Sequence, residues 1–251
     1  MVNTWLRTTG RYLAAKAAAL CIALVIGTDV SAAPGEPIVF HAASAGSQTL
    51  DQGEGGGNPF ASALIDLLAK PAVALTELPE AVRQLTHQKS GGFQIADVPA
   101  IDAGNGWRLK PQAKNERRIA LVLIVSDYSR SGGAPSLPGA RHDGERIATA
   151  LRNAGFETQL VPDLDAAAMR LALERFTAET RNADAAVIYT TGHGVEVGGT
   201  IYLIPGDYPL AEKNAALATR ALPLSEMRQS LRAKHVNLLF YGGCRDNPFG
   251  N

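Results

Sequence analysis

Ile119–Val125 reads IALVLIV, an unbroken apolar run directly after the charged segment Lys110–Arg117. A short run of this kind, rich in β-branched residues, is the pattern of a strand buried on both faces, as in a parallel sheet. A Ser/Gly/Pro loop follows. Ala140, Ile147, Leu151 and Ala154 then fall on one side of a helix that Gly155 stops. Phe156–Val161 predicts a second strand, Met169, Leu173 and Phe176 another helix, and Ala185–Thr190 (AAVIYT) a third strand. Ser225–Arg232 reads as a short helix and Val236–Tyr241 (VNLLFY) as a fourth strand. Strands alternating with helices predict an α/β fold, a three-layer sandwich whose mostly parallel sheet is flanked by helices.

In such sheets reactive residues sit just beyond the carboxyl ends of the strands. The third strand runs into Thr190-Thr191-Gly192-His193-Gly194, a histidine between glycines. The fourth runs into Gly242-Gly243-Cys244-Arg245-Asp246-Asn247. Alone, the histidine is a turn residue and the cysteine a small buried hydrophobe. The polar neighbours of Cys244 argue against apolar burial. If the two strands are adjacent, His193 and Cys244 face each other across a cleft. An imidazole beside a thiol is the usual way to activate a cysteine nucleophile. The backbone N–H groups of Gly194 and Cys244 would then be free to hold an oxyanion.

Upstream, Pro37–Ala43 reads as a short buried strand and Asn58-Pro59 as a helix start. Ala61, Leu64, Ile65 and Leu68 share one helical face, and Leu78, Val82 and Leu85 share another before a loop at Ser90–Gly92. Gly106–Leu109 predicts a further short strand. The first residues differ in character. Arg7, Arg11 and Lys16 precede an apolar run from Ala17 to Gly27, then Val30-Ser31-Ala32-Ala33, which together predict a secretory signal over residues 1–32. The expected location is therefore periplasmic or secreted, with a membrane met only through that signal.

The 251 residues are 46% hydrophobic, too apolar for a disordered chain, and 24 basic residues balance 24 acidic ones. That balance removes the electrostatic case for nucleic acid as a partner. Without residues 1–32 the chain keeps 21 bases, 23 acids and one cysteine, Cys244. One thiol builds neither an internal disulfide nor a thiolate metal site. His41, His87, His142 and His235 show no metal-ligand spacing, so no metal and no cofactor is expected.

The segments RIALVLIVSDYS (118–129), LPGARHDGERIATALRNAGFE (137–157), DAAVIYTTGHGVEVGGTIYLIPGD (184–207) and VNLLFYGGCRDNPF (236–249) resemble the large catalytic part of the caspase and metacaspase-like cysteine peptidases. The resemblance implies a His193–Cys244 catalytic dyad and a protein or peptide substrate. In that family two further strands follow the nucleophile. Here the stretch resembling them, residues 38–99 with its Asn-Pro-Phe and Gly-Gly-x-Gln motifs, comes first. A circularly permuted domain is expected, with a small-subunit-like part over 34–110, a linker over 111–117 and the catalytic part over 118–251. Metacaspase-like members usually carry an Asp two residues before the nucleophile, in an acidic pocket for a basic P1 side chain, whereas this chain has Gly242. Asp143 matches a second pocket Asp and Asp51 is a further candidate, so P1 is still expected to be basic. Gly242 also motivates an alternative, a catalytically inactive caspase-like binding module.

Overall fold

The computed structural model describes residues 35–53, 55–101, 106–111 and 115–250, so the predicted signal segment lies outside the described residues. The chain forms β1 (Ile38–His41), α1 (Pro59–Ala69), α2 (Leu78–Lys89), β2 (Arg118–Ile124), α3 (Pro138–Asn153), β3 (Glu157–Pro162), α4 (Ala166–Thr180) and β4 (Ala185–Thr191). Then come β5 (Gly194–Val197), β6 (Thr200–Leu203), a 3₁₀ turn at Leu210–Ala216, α5 (Leu217–Arg220), β7 (Leu222–Pro223), α6 (Leu224–Gln229) and β8 (Val236–Tyr241). The main sheet has the order β1-β8-β4-β2-β3, and each neighbouring pair is parallel. The strand from the N-terminal part thus lies beside the last strand, Ile38 opposite Leu238 and His41 opposite Tyr241.

Successive residues of a strand point to opposite faces, and this alternation divides the interior in two. Ala120, Val122, Ile124, Val187, Tyr189, Leu238 and Phe240 pack with α1, α2 and α3. Ile119, Leu121, Leu123, Ile188, Leu239 and Tyr241 pack on the other side with α4, α6 and the small β5–β7 sheet. The result is the expected three-layer sandwich. Helix starts follow local chemistry: Asn58 Oδ1 accepts from Phe60 N at 2.8 Å, and Asp165 Oδ1 from Ala168 N at 2.8 Å.

Two features differ from the expectations. Gly106–Leu109 is not a strand; only an antiparallel bridge between Ala74 and Arg108 forms there, because the pairing with residues 73–75 extends no further. A second, antiparallel sheet, β5-β6-β7, was not foreseen. Its signal is the Gly198-Gly199 pair, with φ of +57° and +76°, the two positive values a tight hairpin turn requires. Strands of 4, 4 and 2 residues are too short to show a period by themselves.

Candidate active site

β4 and β8 are parallel neighbours with Thr190 opposite Tyr241. His193 lies three residues beyond the first and Cys244 three beyond the second, so the two emerge at the same level of adjacent strands. Their flanking backbones touch: a Cβ on Gly243 would lie 3.0 Å from Gly192 O, and one on Gly194 would lie 2.6 Å from Cys244 O. Gly194 tolerates no side chain there, since its Cβ would also collide with the Tyr241 hydroxyl, which donates to Cys244 O at 3.1 Å.

His193 is held by three hydrogen bonds and a ring contact. Its N–H donates to the buried Tyr128 hydroxyl at 2.7 Å, and that hydroxyl donates in turn to Ile204 O at 2.9 Å. Its carbonyl accepts from Ile204 N at 2.9 Å, and its ring meets Tyr128 edge-on, centroids 4.4 Å apart. Its Nε2 lies 2.8 Å from Pro135 O. A carbonyl can only accept, so this bond places a proton on Nε2 and leaves Nδ1 as the basic nitrogen of the neutral ring. In the antiparallel ladder of β5 and β6, bonded and non-bonded pairs alternate. The bond between Ile204 and His193 puts the next pair, Gly194 and Leu203, in a non-bonded position, with the Gly194 N–H directed out of the hairpin. The Cys244 amide likewise has no acceptor among the described residues.

Cys244 is half-buried and free. Its Sγ accepts from Thr49 N at 3.4 Å and lies 3.5 Å from Thr49 Oγ1. Arg245, 8% exposed, reaches Asp97 at 2.6 Å and Glu196 at 2.8 Å, joining the N-terminal part to β5 directly behind the cysteine. Asn58 is a second junction. Its N–H donates to Asp143 Oδ2 at 2.7 Å and its Nδ2 to Gly242 O at 3.2 Å, while Gln94 Nε2 donates to its Oδ1 at 3.3 Å.

The two pocket candidates are both engaged with α3. Asp51 accepts from Gly139 N and Ala140 N, each at 3.0 Å, closing the first turn of that helix, where a carboxylate is favoured. Asp143 is 0% exposed and packs directly under Gly57; Arg146 stands 3.6 Å from its Oδ1. Burial pushes its carboxyl up to about 7, against the pull of the Asn58 N–H and Arg146 and with a further push from Asp51. At Gly242 a Cβ would crowd Thr191 Oγ1 at 3.0 Å and the Tyr189 hydroxyl at 3.3 Å.

Tyr128, Pro135, Thr49 and the Arg245 clamp were not singled out from the sequence. Only Tyr128 carried a signal, its place just beyond the end of β2. Among the described residues no group of three or more His, Cys, Asp or Glu is arranged to hold a metal ion, and no helix is long and apolar enough to cross a membrane.

The sequence profile of the caspase domain matches residues 117–251. No curated protein matches the chain. Among solved structures the chain is similar to caspase-1 from Spodoptera frugiperda, at 14% identity and a TM-score of 0.40, over 51% of this chain and 48% of that one. The chain thus spans about half the length of the caspase it matches.

Proposed function

This chain belongs to the caspase-domain family of peptidases, and from that premise we propose that it is a cysteine endopeptidase using Cys244 and His193. The observation that carries the reading is their equal projection from β4 and β8, with the His193 ring anchored through Nε2 to Pro135 O. Cys244 Sγ attacks the peptide carbonyl carbon and His193 Nδ1 takes the thiol proton. The C–N bond then breaks as the imidazolium returns that proton to the leaving amine. Water hydrolyses the resulting thioester and restores the thiol. The outward N–H of Gly194 and the unpaired N–H of Cys244 hold the oxyanion of each tetrahedral intermediate.

For P1 the proposal is Arg or Lys. Asp51 is a partly exposed carboxylate two residues after Thr49, whose N–H and hydroxyl meet Cys244 Sγ, and a carboxylate so placed favours a cationic side chain. Asp143 is fully buried under Gly57, so Asp51 is the proposed contact. We infer also that the caspase parts are circularly permuted, the support being the place of β1 alongside β8. Export through the segment 1–32 completes the proposal.

The test is hydrolysis of a fluorogenic peptide library varied at P1, with wild type and Cys244→Ala side by side. Cleavage after Arg or Lys that vanishes in Cys244→Ala is the expected result. Cleavage after another residue would overturn the pocket and keep the mechanism. Absence of hydrolysis, together with a Cys244 inert to electrophilic probes, would move the protein to the binding-module class.

A further inference from the structure

The polar partner of the Cys244 sulfur comes from the far end of the chain. Thr49 places its amide nitrogen 3.4 Å and its hydroxyl oxygen 3.5 Å from Sγ, across 195 positions of sequence. The segment carrying Thr49 is tied down along its length. Gly46 N donates to Arg245 O at 3.1 Å, Arg245 N to Ser47 O at 2.9 Å, and Gln48 Nε2 to Asp246 Oδ2 at 2.8 Å. Behind it, Leu50 N donates to Gln94 Oε1 at 2.9 Å. Gln94 is 1% exposed, and its Nε2 is used on Ala42 O and Asn58 Oδ1, at 3.2 and 3.3 Å. The Gly-Gly-x-Gln motif therefore holds the backbone that presents Thr49 to the sulfur.

We propose that Thr49 is a positioning residue for the nucleophile, its N–H and hydroxyl forming a two-donor seat that fixes the direction of Sγ and holds its negative charge during attack. This rests on Cys244 being the nucleophile. An amide N–H can only donate, so the sulfur is its acceptor. A neutral thiol is a weak acceptor, and hydrogen bonds strengthen when the acceptor is ionised. The hydroxyl rotates. It accepts from S–H in the resting thiol and donates to the sulfur once His193 has taken the proton, so the seat serves both states. The N-terminal part thereby completes the reacting centre as well as the sheet.

The experiment uses the full chain with Thr49→Val, Thr49→Ser and Thr49→Ala, and reads two rates. One is alkylation of Cys244 by iodoacetamide, with Cys244→Ala as the blank; the other is kcat and KM on a fluorogenic peptide amide with Arg at P1. Removing one donor to a charged acceptor should slow alkylation and lower kcat roughly three- to tenfold. KM should stay within about twofold, and Thr49→Ser should recover most of the loss, because it restores the donor. Alkylation by Thr49→Val at the wild-type rate or faster would overturn the proposal; so would a change confined to KM. If Thr49→Val melts early, Thr49→Ala against Thr49→Ser decides the same question. Wild-type hydrolysis by Cys244→Ala would sink the peptidase reading, and the alkylation comparison would still decide whether Thr49 seats the sulfur.

Discussion

The guanidinium of Arg245 and the carboxylate of Asp97 meet at 2.6 Å, joining the residue after Cys244 to the N-terminal part of the chain. Glu196 of β5 takes the other edge of the same guanidinium at 2.8 Å. Arg245 also bonds its backbone to Gly46 and Ser47, so the cysteine loop is fixed from both halves at once. Arg245→Met removes the cation and strands two carboxylates. Breaking a buried pair costs about 3–5 kcal/mol, and exposed pairs are worth far less. With Asp97 50% exposed the cost falls between these two cases, and a loss of roughly 2–3 kcal/mol is expected in urea denaturation. Electrophile labelling of Cys244 should fall in the same variant under native conditions.

Tyr128→Phe keeps the ring beside His193 and deletes the hydroxyl between His193 N and Ile204 O. A part-buried N–H and a buried carbonyl then lose their partner, at a cost of about 1–3 kcal/mol. The expected kinetic effect is a lower kcat with KM little changed, since the histidine shifts and no substrate contact is lost. Steady-state kinetics on the Arg-P1 peptide, beside a thermal melt, check both halves of this statement.

Asp51 has two separable tasks. As acceptor for Gly139 N and Ala140 N it stabilises the start of α3; as a carboxylate it is the proposed contact for a basic P1. Asp51→Asn keeps one acceptor oxygen, so stability should fall by about 1 kcal/mol or less. KM for Arg-P1 peptides should rise roughly tenfold if the charge is used in binding. A KM that stays at the wild-type value for Arg-P1 and neutral-P1 peptides alike would assign Asp51 to the helix alone.

Two groups shifted by burial, Asp143 fully buried and His41 partly so, set opposite pH limbs of stability. Asp143 is pushed up to about 7 by burial, so the native state holds that proton more tightly than the unfolded chain. Its contribution is full below pH ~4 and is lost as pH rises through about 7. Asp143→Asn cannot ionise, and its stability relative to wild type should climb between those values and then level. His41 is lowered to about 4, by burial first and then by Arg245, while Asp97 and Glu196 pull the other way. Its contribution is full above pH ~6.5 and lost as pH falls through about 4. His41→Asn should remove that acid limb. Urea midpoints measured from pH 4 to pH 8 for wild type and both variants separate the two groups, and a flat difference for Asp143→Asn would contradict the burial argument.

What the sequence by itself determined was everything written in local periodicity. The continuous apolar run at 119–125 and the largely apolar VNLLFY at 236–241 specified strands buried on both faces, and helical spacing around Ile147 and Phe176 specified the layers that cover them. The strand-end rule then singled out His193 and Cys244 with no knowledge of strand order. Tertiary structure alone decided that β4 and β8 are neighbours, which brings those two residues to one level. It also decided that β1 closes on β8, that Pro135 O fixes the His193 proton, and that Thr49 reaches the sulfur. The physical reason lies in the range of the forces involved. Burial imprints a period on neighbouring residues, whereas a hydrogen bond between Thr49 and Cys244 leaves no pattern along the chain between them. Asp143 shows the same limit: a helix-start carboxylate in the sequence becomes a fully buried group, pushed up to about 7, only because the Gly57-Asn58 turn of the N-terminal part packs over it.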